Sequence, residues 1–321
     1  MSNVRTITVS AEDADIRVDR WFKRHFPALK HGRLEKLLRT GQVRVDGGRV
    51  KASTRLAPGV SIRIPPLDAE SAAPRSHRTP TISDGDRDWI QSLVIHSDND
   101  VIALNKPAGI AVQGGNKVTR HIDGLLPALA DGDEERPRLV HRLDRDTSGV
   151  LLIARNARST AFLGDAFRGR EAHKVYWALV VGVPRPEQGT INAALLKQAG
   201  LDGYEKMVAD AEMGKTAVTD YRVVETAGRA VAWLELMPHT GRTHQLRVHC
   251  AGIRTPIVGD WKYGGGDAIL GTVPGGDELK LHARSIDLPH PAGGRLRVTA
   301  DLSAGMAETW RFFGFVNADA D

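Results

Sequence analysis

Apolar residues recur at two different periods along this chain, and the change of period divides it. In RVDRWFKRHF, Val18, Trp21, Phe22 and Phe26 fall three or four residues apart, with Arg20, Lys23 and Arg24 on other faces, a spacing that predicts a helix. HGRLEKLLRTGQV repeats the pattern with Leu34, Leu37 and Leu38, and Gly41 stands where a helix would be capped. Two short alternating runs follow, QVRVDGGRVKAS with Asp46-Gly47-Gly48 as a turn, and GVSIRIPP, which together predict a small hairpin. Residues 67–87 carry few large apolar groups and many small, polar or Pro residues, the composition of a linker. From Asp88 onward period two dominates. LVIHSDNDVIALNKPAGIAVQGG predicts two strands and a Pro/Gly loop, and GVLLIAR, HKVYWALVVG, TAVTDYRVVET and AVAWLELMP predict further strands. Helices are expected mainly over RSTAFLGDAFRG and RTHQLRVHCAG. Strands that mostly follow one another without helices between them predict an α+β fold with a mixed or antiparallel sheet over residues 88–321, behind a small α+β module at 1–66.

Composition sharpens this in two places. The 321 residues suffice for one large and one small domain, and no apolar run is long enough for a membrane span. The opening MSNVRTITVSAEDADIRV lacks the apolar stretch of a signal peptide, and a single cysteine, Cys250, permits no internal disulfide framework; both predict a cytoplasmic protein. The net charge of +5 is unevenly spread: residues 1–66 hold 14 Lys and Arg against 6 Asp and Glu, whereas the remainder is slightly acidic. That is what a polyanion-holding module in front of an active domain would show, and equally what a basic, well-solvated surface would show. Within the module Arg33, Lys36, Arg39 and Arg44 are expected close together.

Several chemistries lack their motifs. There is no phosphate-binding Gly-rich loop and no Gly-x-Gly-x-x-Gly opening a helix. His239, His244 and His249 lie near Cys250, but neither an HExxH helix nor a cysteine pair accompanies them, so hydrogen-bonding histidines are expected rather than zinc ligands. Ser148 sits in DTSGV, not in a nucleophile elbow.

Three segments remain. VHRLDRDTSGVLLIAR packs Asp144 and Asp146 with Arg142 and Arg145 into a loop running into an apolar strand. One carboxylate there would act as nucleophile or base and the other would support the turn, and spacing does not say which. In HKVYWALVVG alternation puts Lys174, Tyr176 and Ala178 on the face opposite Val175, Trp177 and Leu179, so Tyr176 either faces a cleft or is an ordinary buried tyrosine. In ELMPHTGRTHQLRVHCAG a strand ends at Pro238 and a helix carries Arg242, Thr243, His244, Gln245 and Arg247, with Gly252 as its stop. The start of that helix would favour an anion, and Arg247, a turn further in, could pair with a buried carboxylate.

These segments carry a resemblance. VHRLDRDTSGVLLIAR, HKVYWALVVG, MPHTGRTHQLRVH, IVGDWKYGG and LHARSIDLPHP, led in by LNKPAGIAVQGG, follow the order and spacing of the RluA-type family of pseudouridine synthases over residues 93–292. The helix, LLRTGQVRVDG and PGVSIRI of the first module resemble the αL RNA-binding module of a small-subunit ribosomal protein and some tRNA synthetases. The pair is similar to the branch that modifies large-subunit ribosomal RNA. The resemblance implies a catalytic domain with a central RNA-binding cleft, and Asp144 as the catalytic aspartate, with Asp146 left to loop structure. It implies that Tyr176 packs against the target base and assists proton removal at C5. Arg247 would pair with the catalytic carboxylate, Leu281 would line the site, and Arg142 would take the place of the flipped uridine. Arg242, His244 and Gln245 would contact substrate in the cleft, and Arg33, Lys36 and Arg39 would dock RNA.

The implied reaction breaks the N1–C1′ bond, turns the base and rejoins it through C5, on a nucleotide extruded from the stack. Whether Asp144 attacks C1′ or C6, or removes the C2′ proton, stays open. No step calls for a metal, nucleotide or redox cofactor. The expected partner is RNA, ribosomal before transfer RNA, with no membrane and a monomeric state. Two other readings compete: an inactive RNA-binding assembly factor, and a metal-dependent nuclease.

Overall fold

The computed structural model describes residues 4–67, 82–114, 118–130, 132, 135–199 and 205–315. The chain forms two compact units, residues 1–81 and 82–321.

In the first unit β1 (Arg5–Thr8) precedes α1 (Val18–His25) and α2 (His31–Arg39), followed by β2 (Arg44–Val45) and β3 (Ser61–Ile64). Both helices bury the faces their spacing predicts: Val18, Trp21 and Phe22 with Phe26 just beyond, and Leu34, Leu37 and Leu38. Gly41 takes a positive φ of 70°, and Gly41 and Gln42 donate back to the carbonyls of Leu38 and Leu37, closing α2 as expected. The Asp46–Gly47 turn exists, with a bridge from Val45 to Gly48, but it is not the hinge of a two-strand hairpin. β2 pairs instead with β3, which also pairs with β1, in an antiparallel sheet ordered β1–β3–β2. Strand β1 was not foreseen, because four residues with one partly buried side chain carry no readable period. A buried carboxylate ties the helices down: Asp13 accepts from Trp21 Nε1 (3.1 Å) and Arg24 (2.6 Å) and pairs with His25 Nε2 (2.6 Å).

The expected linker differs at its end. Residues 68–81 lie outside the described residues, but Ser83 already caps α3 (Asp84–Ser92), its hydroxyl accepting from the Asp86 N–H. The second unit then runs β4 (Val94–Ser97), β5 (Val101–Lys106), α4 (Ile122–Leu125), β6 (Arg138–Leu139), β7 (Ser148–Ala154), α5 (Ala157–Gly169), β8 (His173–Val181) and β9 (Gln188–Asn192). It continues through β10 (Leu195–Ala199), β11 (Glu205–Ala209), β12 (Val218–Ala227), β13 (Val231–Pro238), α6 (Gln245–Gly252), α7 (Trp261–Gly264), β14 (Leu281–Pro289), β15 (Arg295–Thr299) and α8 (Ala304–Phe312). This is an α+β fold. Its ten-stranded sheet is ordered β4–β5–β7–β14–β8–β13–β12–β9, with β15 against β14 and β6 against β7, and β10–β11 form a separate hairpin. Every pairing in the large sheet is antiparallel except β7 with β14.

The unbroken apolar run of β7 follows from burial on both faces. Leu151 and Ile153 pack with Ile90 of α3 and Ile122 and Leu125 of α4, while Val150, Leu152 and Ala154 pack with Leu163 and Ala166 of α5. β8 divides the same way: Ala178 and Val180 meet Leu246 and Cys250 of α6, and Trp177 and Leu179 meet Met306 and Trp310 of α8. Trp233 is edge-on to both Trp177 and Trp310, at 4.6 and 5.8 Å, which anchors α8. Tyr176 packs against the α3/α4 cluster and the α6 cluster alike, and so marks where the two meet on one face of the sheet.

Candidate active site

A row of register partners defines the place. Ser148 opens β7 opposite His282, Ala283 pairs with Tyr176, and Tyr176 pairs with Leu236. The start of β7, the start of β14, the middle of β8 and the end of β13 therefore lie side by side. Above them is a cleft of about 100 Å³, lined by Asp144, Lys174, Tyr176, Arg247 and Leu281 among others.

Asp144 reaches this cleft on a tightly specified loop. At its entry His141 lies stacked on Phe167, its Nε2 accepting from the Leu152 N–H, and burial pushes it down to about 3, so it is a neutral acceptor. At its exit the Thr147 N–H donates to the Asp144 carbonyl at 3.2 Å. Ser148 Oγ lies 2.8 Å from His282 Nδ1, and His282 Nε2 lies 3.1 Å from the Ala300 carbonyl. His282 must donate from Nε2 to that carbonyl, so Nδ1 accepts and Ser148 is the donor. Gly149, at φ 104°, passes so close to β14 that a Cβ would sit 2.2 Å from the Ala283 carbonyl oxygen. No other residue fits there.

A second clamp comes from Lys106 at the end of β5. Its buried ammonium donates to the carbonyls of Pro107 (2.8 Å), Ile110 (3.0 Å) and Arg145 (3.0 Å). Arg145 also exchanges two backbone-directed bonds with Gly109, its Nε donating and its carbonyl accepting. The NKPAG turn is thereby fastened to the residue after Asp144. Burial lowers Lys106 to about 8, against the opposing pull of Asp146 and Asp144. Of the two aspartates, Asp144 lines the cleft and is about one quarter exposed, whereas Asp146 is half exposed beside Arg145.

Tyr176 does face the cleft. Burial, and the Asp144 charge after it, raise its phenol above the usual range, so it presents a neutral ring at physiological pH. Lys174 lines the same wall and burial lowers it. Leu281 is buried at the cleft wall. Arg142 is exposed at the rim without a polar partner among the described residues.

The helix of RTHQLRVHCAG starts later than its sequence suggests. α6 begins at Gln245, and His244 precedes it in a left-handed conformation (φ 52°, ψ 20°) without capping it, so Arg242 and Thr243 belong to the turn. Arg242 lines the cleft, its Nε donating to the Thr216 carbonyl. The Gln245 amide is spent on the fold: its oxygen accepts from Thr240 Oγ1 and the Arg242 N–H, and its nitrogen donates to the Val218 carbonyl and Thr219 Oγ1. Arg247 lines the cleft but makes its hydrogen bonds to Asp260, bidentate at 2.8 and 2.6 Å, not to Asp144. Burial alone would lower Arg247; the hydrogen bonds and charge of Asp260, and then the charge of Asp144, reverse that. His244 Nε2 lies 3.9 Å from Asp144 Oδ2.

Arg33, Lys36 and Arg39 lie on α2 of the first unit, exposed on the side away from Leu34, Leu37 and Leu38. The Arg44 guanidinium donates to the carbonyls of Gly41 and Gly47 in its own turn. The three histidines near Cys250 form hydrogen bonds, as expected: His239 pairs with Asp220, His244 with Tyr263, and His249 with Thr219 and the Ala193 carbonyl. Lys106, Asp260 and Tyr263 were not picked out from sequence, although each stands in a quoted motif, NKPAG or GDWKYGG. Among the described residues no helix is long and apolar enough to cross a membrane.

The chain is similar to known proteins. The RNA pseudouridylate synthase family model matches residues 100–252. A ribosomal large subunit pseudouridine synthase C of Rickettsia typhi is 35% identical, the match spanning 87% of this chain and 91% of that one. Its namesake in Escherichia coli K12 is 31% identical over 95% of both. The mitochondrial RNA pseudouridine synthase 4 of Arabidopsis thaliana is 38% identical over 82% of this chain, which spans 63% of that longer protein. Among solved structures, human RNA pseudouridylate synthase domain containing 4 superposes with a TM-score of 0.60 at 29% identity, covering 71% of this chain and 97% of that one. The matched segment holds the Asp144 loop, β8 and α6, and the chain belongs to the RluA-type family of RNA pseudouridine synthases.

Proposed function

We propose that the chain isomerises uridines of large-subunit ribosomal RNA, with Asp144 as the group that acts on the extruded nucleotide. The observation that carries this reading is the meeting of Asp144, Tyr176, Arg247 and Leu281, from four separate elements, around one cleft. Relatives named for the large ribosomal subunit that match over nearly their whole length support the choice of RNA. The basic first unit, with Arg33, Lys36 and Arg39 exposed on one helix, supplies phosphate contacts as an αL-type module would.

The net reaction exchanges the N1–C1′ bond for a C5–C1′ bond, releases the C5 proton to solvent and leaves a proton on N1. Tyr176, held neutral, offers a flat apolar surface to the uracil, and Leu281 keeps the wall dry while the base is detached. Arg247, neutralised by Asp260, contributes to the field at Asp144 without sealing the carboxylate in an ion pair. Arg142, exposed and without a polar partner among the described residues, would enter the space the flipped uridine leaves.

The test is tritium release from ribosomal RNA labelled at uridine C5, comparing wild type with Asp144→Asn. Release by wild type and none by the variant, at unchanged RNA affinity, is expected. Release that persists in Asp144→Asn would overturn the assignment, and wild-type release from transfer RNA alone would overturn the substrate.

A further inference from the structure

His244 occupies a backbone conformation that costs a non-glycine residue energy, and its side chain does not cap the helix that follows. Its hydrogen bonding explains where that side chain is needed. Nδ1 lies 2.7 Å from Tyr263 Oη, and the same oxygen accepts from the Met207 N–H at 3.3 Å. Among the described residues the phenol has no other hydrogen-bonding neighbour. Donation of the phenol proton to His244 Nδ1 makes that nitrogen the acceptor and leaves the imidazole proton on Nε2. Nε2 is the atom that faces Asp144, 3.9 Å from Oδ2.

The frame behind this pair is rigid. Tyr263 belongs to α7, donates its N–H to buried Asp260, and lies under the Arg247 guanidinium, 5.1 Å from the ring centroid. Asp260 holds Arg247 from the other side. The charged groups facing His244 are Asp144, Arg247, Lys262 and Asp260; burial lowers the imidazole first, Arg247 and Lys262 add to this, and the two carboxylates oppose it. A neutral ring with one N–H is consistent with both the contacts and the charges.

We propose that His244 is a positioning residue for the reaction: Tyr263 locks it in the Nε2–H tautomer, and that N–H is aimed at the Asp144 carboxylate to fix its orientation as the nucleotide enters. The inference rests on Asp144 being the acting group. At 3.9 Å the contact is longer than a hydrogen bond and closes with a side-chain shift of about 1 Å, of the kind that catalytic contacts undergo on substrate binding.

Two substitutions separate this role from a purely structural one. In H244N the amide stands where Nδ1 does, so the Tyr263 contact and the left-handed backbone are kept, but nothing reaches Asp144. In H244Q the amide nitrogen stands where Nε2 does. In the tritium-release assay H244N is expected to lose about 10–100-fold in kcat, the loss of one hydrogen bond to a charged group, with KM little changed. H244Q is expected to recover most of that loss. Any pattern in which H244Q is not the better turnover variant overturns the proposal, and a backbone-only role predicts the reverse order. Nitrogen-15 NMR of the full chain reads the tautomer without reference to activity. An Nε2–H imidazole at His244 is expected, and an Nδ1–H tautomer refutes the lock. If Asp144→Asn still releases tritium, the underlying reading has failed, and the tautomer result tells that failure from failure of the lock.

Discussion

Lys106→Met isolates the clamp that holds the Asp144 loop. The substitution keeps the length of the buried stem and removes an ammonium that satisfies three carbonyls. Two energies oppose each other. Orphaning three buried carbonyls costs about 1 kcal/mol or more apiece. The charge was itself buried at a cost: lowering Lys106 from 10.5 to about 8 corresponds to about 3 kcal/mol at neutral pH. At about 1–3 kcal/mol per carbonyl, the sum at pH 7 runs from near zero to about 6 kcal/mol of destabilisation. Turnover should fall as well, because the carbonyl of Arg145, one residue past Asp144, loses its tether. The pH dependence has a definite sign. The unfolded lysine keeps its proton up to about 10.5 while the native one sheds it near 8, so between these values the unfolded chain binds more protons and stability rises with pH. Urea unfolding from pH 7 to 10.5 should show wild type gaining about 3 kcal/mol on Lys106→Met across that window. Parallel curves, or a variant with full turnover, would refute the account.

Asp260→Asn removes the carboxylate that neutralises Arg247 and leaves a buried guanidinium uncompensated, a loss of about 3–5 kcal/mol that thermal or urea unfolding should detect. A shift below about 1 kcal/mol would mean that Arg247 finds another anion, for which Asp144, whose charge already acts on it, is the candidate among the described residues. Replacing Arg33, Lys36 and Arg39 together by Ala should leave the fold intact, since all three are exposed, and weaken RNA binding. If each contacts one phosphate, the slope of log affinity against log salt should fall by about 2–3; an unchanged slope would remove these residues from the interface.

The fold was legible where burial is one-sided or complete. The helices of the first unit follow from Val18, Trp21, Phe22 and Leu34, Leu37, Leu38 because all of those residues are buried in the one core beneath them. β7 and β8 follow from their apolar runs and alternation. The pairings did not follow. The parallel contact of β7 with β14 joins residues more than a hundred apart, and its only trace in the sequence is Gly149, one glycine among 33. The turn at Asp46–Gly47 suggested a local hairpin, but backbone preference says where a chain bends, not which strand it then meets.

The same limit explains the site. Spacing could not choose between Asp144 and Asp146, since both are short acidic residues on one loop. The choice is made by contacts from other segments: the Lys106 and Gly109 bonds at Arg145, and the Ser148–His282 bond, leave Asp144 lining the cleft and Asp146 at the exposed edge. Arg247 makes its hydrogen bonds to Asp260, where the resemblance implies a pairing with Asp144. A guanidinium beside a cleft carboxylate invites a direct ion pair, yet a bidentate pair would occupy both carboxylate oxygens, which the proposed role of Asp144 needs free. Giving Arg247 its own carboxylate, Asp260, keeps the positive charge near Asp144 while leaving that carboxylate uncovered. Asp260 lies in a motif read only as a match. The feature that would have distinguished it is physical: Arg247 sits on a helix nearly all of whose residues are buried, and a buried guanidinium requires a buried anion close by.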